Sequence, residues 1–225
     1  MKILTATLMA HAILTATVFG QSATQDQPAR RDASRGAGSN ERYAAENLDY
    51  QIAACLLLGN QEEIALAQLG EKHATHPQVK ELAQMLVEHH TKAVALIQKA
   101  APEVASLQLA AKAGQPSNEP GGRSVAMLQR IKSECLSLTQ KELEQHQGTE
   151  FDKAFVGQQI GAHLGMLAQL RGSKSFASPE LQKVIAQGEQ MTTTHMAEAK
   201  KIMNQIKDET NKTADATRRS AATKR

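Results

Sequence analysis

Aromatic residues are the most conspicuous shortage in this chain of 225 residues. Trp is absent, and Phe, Tyr and Trp together make up 3% of the sequence. Because β-strands favour aromatic and β-branched residues, this composition argues against a fold rich in sheet. The abundant residues are Ala, Gln, Glu, Lys and Leu, which are helix formers. The sequence therefore predicts an all-α protein.

Strong charge and long apolar runs are also lacking. The net charge is only +3, which is too weak to indicate a nucleic-acid partner. No stretch after residue 20 has the apolar length that a transmembrane helix needs, so we expect no transmembrane span in the mature chain. We find no nucleophile elbow, phosphate loop or zinc-knuckle spacing. The sequence thus predicts neither catalytic residues nor a cofactor-binding motif.

The N-terminal segment has the pattern of a signal peptide. Lys2 provides a minimal positive region, an apolar run extends from Ile3 to Phe19, and small residues precede Gln21. We expect residues 1–20 to be removed and the protein to be exported to the periplasm or cell envelope. An uncleaved anchor is the alternative, although the run is marginal for a membrane span. No Cys lies near the cleavage point, which argues against a lipoprotein anchor.

Apolar periodicity divides the rest of the chain into helices. The two short connections, before Pro77 and before Pro179, predict two antiparallel helical hairpins, joined by a long crossover that carries an extra helix. Polar residues 21–40 predict a disordered linker, and residues 209–225 predict a disordered basic tail. Residues 41–208 are then expected to form a ferritin-like up-down four-helix bundle. The four predicted bundle helices are 41–73, one from Pro77 to the crossover, 150–172, and one from Pro179 to about 208. The crossover has an irregular part at 101–123, which is followed by the extra helix at 124–145.

One titratable residue interrupts the apolar face of each bundle helix. Glu63, His90, His163 and His195 occupy these positions in chain order. A charge in a core is costly unless it is paired or bound to a metal. The four residues therefore predict either a divalent transition-metal site of unspecified metal or a buried hydrogen-bond network. No Glu-x-x-His pair stands where a di-iron site of the ferritin type needs it.

Other polar residues have simpler explanations. Asp152 follows Thr149 by three residues, which is the spacing of a capping box at the start of the fourth helix, and it could also lock the fold or act as an outer partner of the metal site. His73, His76 and His89 are expected to be solvated. Cys55 and Cys135 could pair in an oxidising compartment, or they could remain as free thiols packed in helices.

The chain resembles the bacterial family called domain of unknown function 4142. The resemblance rests on a block from Glu63 to Thr91 that ends in Val-Glu-His-His-Thr, on the block Phe-Asp-Lys-Ala-Phe-Val at 151–156 followed by His163, and on His195-Met196. His89 stands where the family usually has an acid. The resemblance implies a ferritin-like bundle in the envelope. It also marks signature positions without assigning them chemistry, and these are Glu63, His90, Asp152, His163 and His195.

Two functions from different classes follow from this evidence. The first is a non-enzymatic exported bundle that serves as a binding or stress-related module of the envelope. The second is a metal-binding ferritin-like protein that uses Glu63, His90, His163 and His195. A homo-oligomer that associates through helix faces is a further prediction.

Overall fold

The protein is all-helical in the parts of the chain that the structure describes. This computed structural model describes residues 34–109 and 122–223, and it contains no strand within those ranges. Single-turn 3₁₀ helices lie at Pro102–Val104 and Lys174–Phe176. The five α-helices are α1 (Ser34–His73), α2 (Pro77–Ala100), α3 (Gly122–Leu143), α4 (Gly148–Ser173) and α5 (Pro179–Thr223).

The helix starts follow local sequence chemistry. Pro77 is the first residue of α2, where its missing N–H leaves no hydrogen bond unmade, and His76 before it is extended. Gly148 has a φ of +57°, a conformation that favours glycine, and α4 begins there. We expected Gly148 to end the preceding helix and Thr149 to cap the next one. In the structure α3 ends earlier, at Leu143.

Helix contacts define the arrangement of the two hairpins. α1 packs on α2, and α4 packs on α5. The hairpins meet where α2 contacts α5 and where α1 contacts α4, while α3 lies against α1. The long connection between α2 and α3 was predicted as a crossover, and its residues 110–121 lie outside the described ranges.

Two apolar clusters make up the core. One surrounds the α1–α2 turn and includes Leu66, Leu82 and Phe155, and the other lies at the opposite end and includes Leu57, Ile97 and Ile185. Buried polar residues of α1, α2, α4 and α5 lie between the two clusters. These residues are Asn60, Glu62, Glu63, His90, Gln159, His163, Thr192 and His195.

Asp152 connects two helices instead of capping its own. Its carboxylate accepts hydrogen bonds from Thr75 N–H (2.9 Å), Thr75 Oγ1 (2.6 Å) and His76 N–H (3.0 Å). The predicted capping-box role is therefore wrong, because the side chain points from α4 to the α1–α2 turn. Asp49 on α1 makes the reciprocal contact, accepting from Ser178 N–H at 2.9 Å in the α4–α5 connection.

Several predicted boundaries differ from the structure. α1 begins at Ser34, within the predicted linker, and α5 continues to Thr223 through the predicted disordered tail. After Gly188 no Gly or Pro interrupts the sequence, so the helical backbone can continue where apolar periodicity has stopped. The predicted signal peptide and residues 21–33 lie outside the described ranges. Within those ranges no helix has the length and hydropathy of a membrane span.

Candidate metal centre

Three histidines from three helices meet in the polar layer. His90 lies on α2, His163 on α4 and His195 on α5, and none is more than 1% exposed. One ring nitrogen from each lies within 4.8 Å of the others. The ring centroids are 5.1 to 5.5 Å apart. The residues form a compact cluster of imidazoles with its nitrogens turned inward.

Hydrogen bonds to oxygen fix the protonation of two of these rings. His90 Nδ1 lies 2.7 Å from Asn60 Oδ1, and His163 Nδ1 lies 2.8 Å from the backbone oxygen of Gln159. Both oxygens can only accept, so each Nδ1 carries the hydrogen and each Nε2 keeps its lone pair. His90 Nε2 is buried and has no hydrogen-bond partner among the described residues. An unpaired buried acceptor is costly, and a bound cation would satisfy it.

His195 continues the hydrogen-bond chain to a fourth histidine. Its Nδ1 lies 3.0 Å from His163 Nε2, and its Nε2 lies 2.9 Å from Nδ1 of His89. Because His163 Nε2 is an acceptor, His195 Nδ1 must donate to it. His195 Nε2 then accepts from His89 Nδ1, whose ring stacks on that of His195. The hydrogen bonds therefore all point in one direction, from His89 through His195 and His163 to the Gln159 carbonyl. We call this series of hydrogen bonds the histidine chain.

Burial keeps these imidazoles neutral. It lowers the pKa of His163 to about 4 and that of His195 to about 3, and the neighbouring His163 and His89 depress the pKa of His195 further. The pKa of His90 is also well below its usual range, first because of burial and then because of the surrounding histidines. A metal ligand must be deprotonated. The cluster thus presents unprotonated ligands at neutral pH.

Glu63 lies in the same layer but outside the histidine cluster. It is 4% exposed, and its Oε2 has no hydrogen-bond partner among the described residues. Burial, assisted by the adjacent Glu62, raises the pKa of Glu63 to about 8 despite a hydrogen bond from Gln159. Glu63 is therefore mostly protonated at pH 7. It is linked to His163 indirectly, because Gln159 hydrogen-bonds to Glu63 through its side chain and to His163 through its backbone oxygen.

Three of the four predicted ligands converge, and the residues that orient them were not predicted. His90, His163 and His195 come together as expected, whereas Glu63 does not join the three-residue cluster. His89 was expected to be solvated, yet it is half-buried and hydrogen-bonded to His195. Asn60 and Gln159 were also missed. Their signal was available, because Asn60 follows Leu56 by four residues and Gln159 precedes His163 by four, which places each on a buried helix face.

The two cysteines lie apart from this cluster. Cys55 and Cys135 are free thiols and are half-buried. Burial raises the pKa of both, and the Glu62 carboxylate raises it further while Lys132 lowers it. Glu62 and Lys132 themselves form an ion pair of 2.7 Å between α1 and α3.

Comparison with known families identifies the chain. A family model described as domain of unknown function (DUF4142) matches residues 34–202. The chain belongs to this family. No curated protein and no solved structure matches it. Membership in DUF4142 confirms the resemblance that the sequence indicated. The match includes all three clustered histidines, but the family description assigns no chemistry to them, so the function must be argued from geometry.

Proposed function

We propose that this DUF4142 protein is a ferritin-like helical bundle that binds one divalent transition-metal ion through His90, His163 and His195. The observation that carries the proposal is the convergence of three buried, neutral imidazoles from three helices within 4.8 Å. We further propose that the protein acts outside the cytoplasm. This part rests on the signal-peptide pattern of residues 1–20.

The outer hydrogen bonds support a metal centre. A histidine that ligates a metal almost always donates its second ring N–H to an oxygen or another acceptor, which fixes the orientation of the ring. His90 has Asn60 in this role, and His163 has the Gln159 carbonyl. His195 has His89 when the His195 hydrogen moves from Nδ1 to Nε2, so that Nδ1 is free for the ion and Nε2–H donates to Nδ1 of His89, whose own hydrogen moves to its Nε2. Each of the three ligands therefore has a partner.

The spacing of the nitrogens suits a small ion after a modest contraction. Ligand bonds of about 2.0–2.1 Å in tetrahedral geometry place the nitrogens about 3.4 Å apart. The nitrogens of His163 and His195 are already 3.0 Å apart, and the widest separation in the cluster is within 4.8 Å. Imidazole ligands suit zinc, copper, iron or nickel. Three protein ligands would leave at least one coordination position open.

A metal-free bundle with a structural polar layer is the second candidate. It corresponds to the non-enzymatic envelope module that we predicted from the sequence. The hydrogen bonds that already join His89, His195 and His163 favour it, because they satisfy these rings without an ion. The unpaired Nε2 of His90 argues for the metal centre instead.

Titration calorimetry with Zn²⁺ distinguishes the two candidates. The full chain, purified without an affinity tag and treated with a chelator, should bind one ion per chain. His163→Ala should abolish this binding and lower the unfolding free energy by about 1–3 kcal/mol, because the partners of the ring are left unpaired.

The matched control is His146→Ala, at a half-buried histidine between α3 and α4 that lies outside the cluster. It should bind one ion as the parent does. If the parent binds no ion and a chelator leaves its melting temperature unchanged, the structural layer is the correct account, since a bound metal stabilises the folded state.

A further inference from the structure

A cavity of about 360 Å³ lies beside the histidine chain. Its walls come from α1, α2, α4 and α5, and they are mainly apolar side chains such as Leu56, Ile97 and Met166. Exposed residues of α2 and α5 form its rim, including Leu96, which is 41% exposed. Cavities of this size that combine apolar walls with a few polar groups are typical of small-molecule sites.

We propose that this cavity binds a small amphipathic molecule with an apolar body and one hydroxyl group, such as an alkylphenol. The site adjoins the metal centre and shares His195 with it, while His90 and His163 do not line the cavity. The proposal concerns the metal-free protein and does not rest on the proposed metal.

Gly59 provides the first argument. It lies in the interior of α1 and is buried, yet a Cβ added to it would meet no atom within 4 Å. Glycine destabilises a helix interior relative to alanine, and a buried position normally offers packing contacts to a larger residue. Here the missing side chain leaves open space in the wall of the cavity.

The polar wall provides the second argument and specifies the hydroxyl group. Its buried and half-buried members are Asn60, His89, Gln169 and His195, and the exposed side chains of Lys92, Gln187, Gln190 and Thr194 lie at the rim. Both nitrogens of His195 are used within the histidine chain, and the amide of Asn60 is used by His90 and the Leu56 carbonyl. His89 binds His195 through Nδ1, so its Nε2 is the ring nitrogen left for a ligand, and the amide of Gln169 offers both an acceptor and a donor. A hydroxyl group, which can both donate and accept a hydrogen bond, matches these two side chains.

Methyl NMR of ¹³C-methionine protein tests the proposal directly. Two methionines, Met166 and Met191, line the cavity, whereas Met85 and Met203 pack on the other apolar cluster. Adding 4-propylphenol to the full chain in EDTA should shift the first pair in a saturable manner and leave the second pair in place. Propylbenzene, which lacks the hydroxyl group, should bind about three- to tenfold more weakly.

Two glycine variants separate filling of the cavity from damage to the fold. Gly59→Leu should abolish the shifts while the melting temperature is retained or raised, because the new side chain occupies open space in a helix. Gly161→Leu places the same side chain at an exposed α4 position that also has open space, and it should bind as the parent does.

The proposal is overturned if 4-propylphenol leaves Met166 and Met191 unshifted, or if all four methionines shift together. It is also overturned if folded Gly59→Leu protein binds as tightly as the parent, or if propylbenzene binds as tightly as 4-propylphenol. Since all measurements are made in EDTA, failure of zinc binding would not affect their outcome.

Discussion

At the scale of single residues, burial sets the charge state of the polar layer. His90, His163 and His195 lose their positive charge and Glu63 gains a proton, so that the layer is close to neutral at pH 7 apart from the ion pair of Glu62 with Lys132. A neutral layer can lie between two apolar clusters without the desolvation penalty of buried ions. The same neutrality makes the imidazole nitrogens available as ligands.

The pH dependence of stability should show both effects with opposite signs. The folded pKa values of His163 and His195 lie below the ordinary value of 6.5, so the unfolded chain binds more protons and stability falls as the pH drops from 6.5 toward 4. The folded pKa of Glu63 is about 8, against 4.5 for the free group. The contribution of Glu63 to the unfolding free energy is therefore complete below pH 4.5 and is lost as the pH rises through 8.

Glu63→Gln isolates the second effect. The variant cannot ionise at this position, so its unfolding free energy relative to the parent should increase by about 1–3 kcal/mol between pH 5 and pH 9. Urea denaturation at both pH values measures the difference. The matched control is Glu81→Gln, at an exposed position on α2, and its difference should be constant. A constant difference for Glu63→Gln would show that Glu63 is ionised in the folded protein.

The predicted site residues are those that conflict with an apolar helix face, which explains why three of them converge and why other residues of the site were missed. His90, His163 and His195 each interrupt such a face, and the structure brings them together. His89 could not be predicted in this way, because it is adjacent to His90 and lies partly outside the apolar face of α2. Its partner belongs to another helix, and the helix periodicity of one segment does not show which side chains of two helices will meet.

At the scale of helices, the connections are held by acids from neighbouring helices. Asp152 of α4 binds the α1–α2 turn, and Asp49 of α1 binds the α4–α5 connection. The positions of the short connections were predictable, because Pro77 and Pro179 mark helix starts. The partner of Asp152 was not, since the capping-box spacing offered a local explanation and the real contact is more than seventy residues away in sequence.

Asp152→Asn tests the role of this contact. The amide oxygen can replace Oδ2, which accepts from Thr75 Oγ1 and His76 N–H, but the NH₂ group then faces the Thr75 N–H that Oδ1 accepts from, so we expect a loss of about 1–3 kcal/mol in unfolding free energy. Urea denaturation provides the measurement, with Asp208→Asn at an exposed α5 position as the control. Equal stability of the two variants would show that the hydrogen bonds of Asp152 to the α1–α2 turn contribute nothing to the unfolding free energy.

Helix existence was easier to predict than helix ends. Apolar spacing located all five helices, but it stops where side chains become exposed, and the α5 backbone continues beyond that point to Thr223. The helix-forming residues of this segment, which include Ala and Lys, need no tertiary contact to favour the helical conformation. Periodicity detects burial, and it therefore marks the part of a helix that packs.

At the scale of the whole molecule, the polar layer lies between two apolar clusters, and the helices α1, α2, α4 and α5 run through all three. Each of these helices contributes residues to both clusters and to the layer between them. Any ion bound there would therefore link α2, α4 and α5. Self-association remains a prediction. On α3, Met127, Ile131 and Leu138 are exposed, and light scattering would test whether the chain associates in solution.

A crystal structure of the full chain grown with Zn²⁺, using anomalous scattering at the zinc edge, tests the central claim most directly. We predict one strong peak inside the bundle, about 2.0–2.1 Å from Nε2 of His90, Nε2 of His163 and Nδ1 of His195. Peaks found only at exposed histidines such as His73, with none among the three buried rings, would contradict the account.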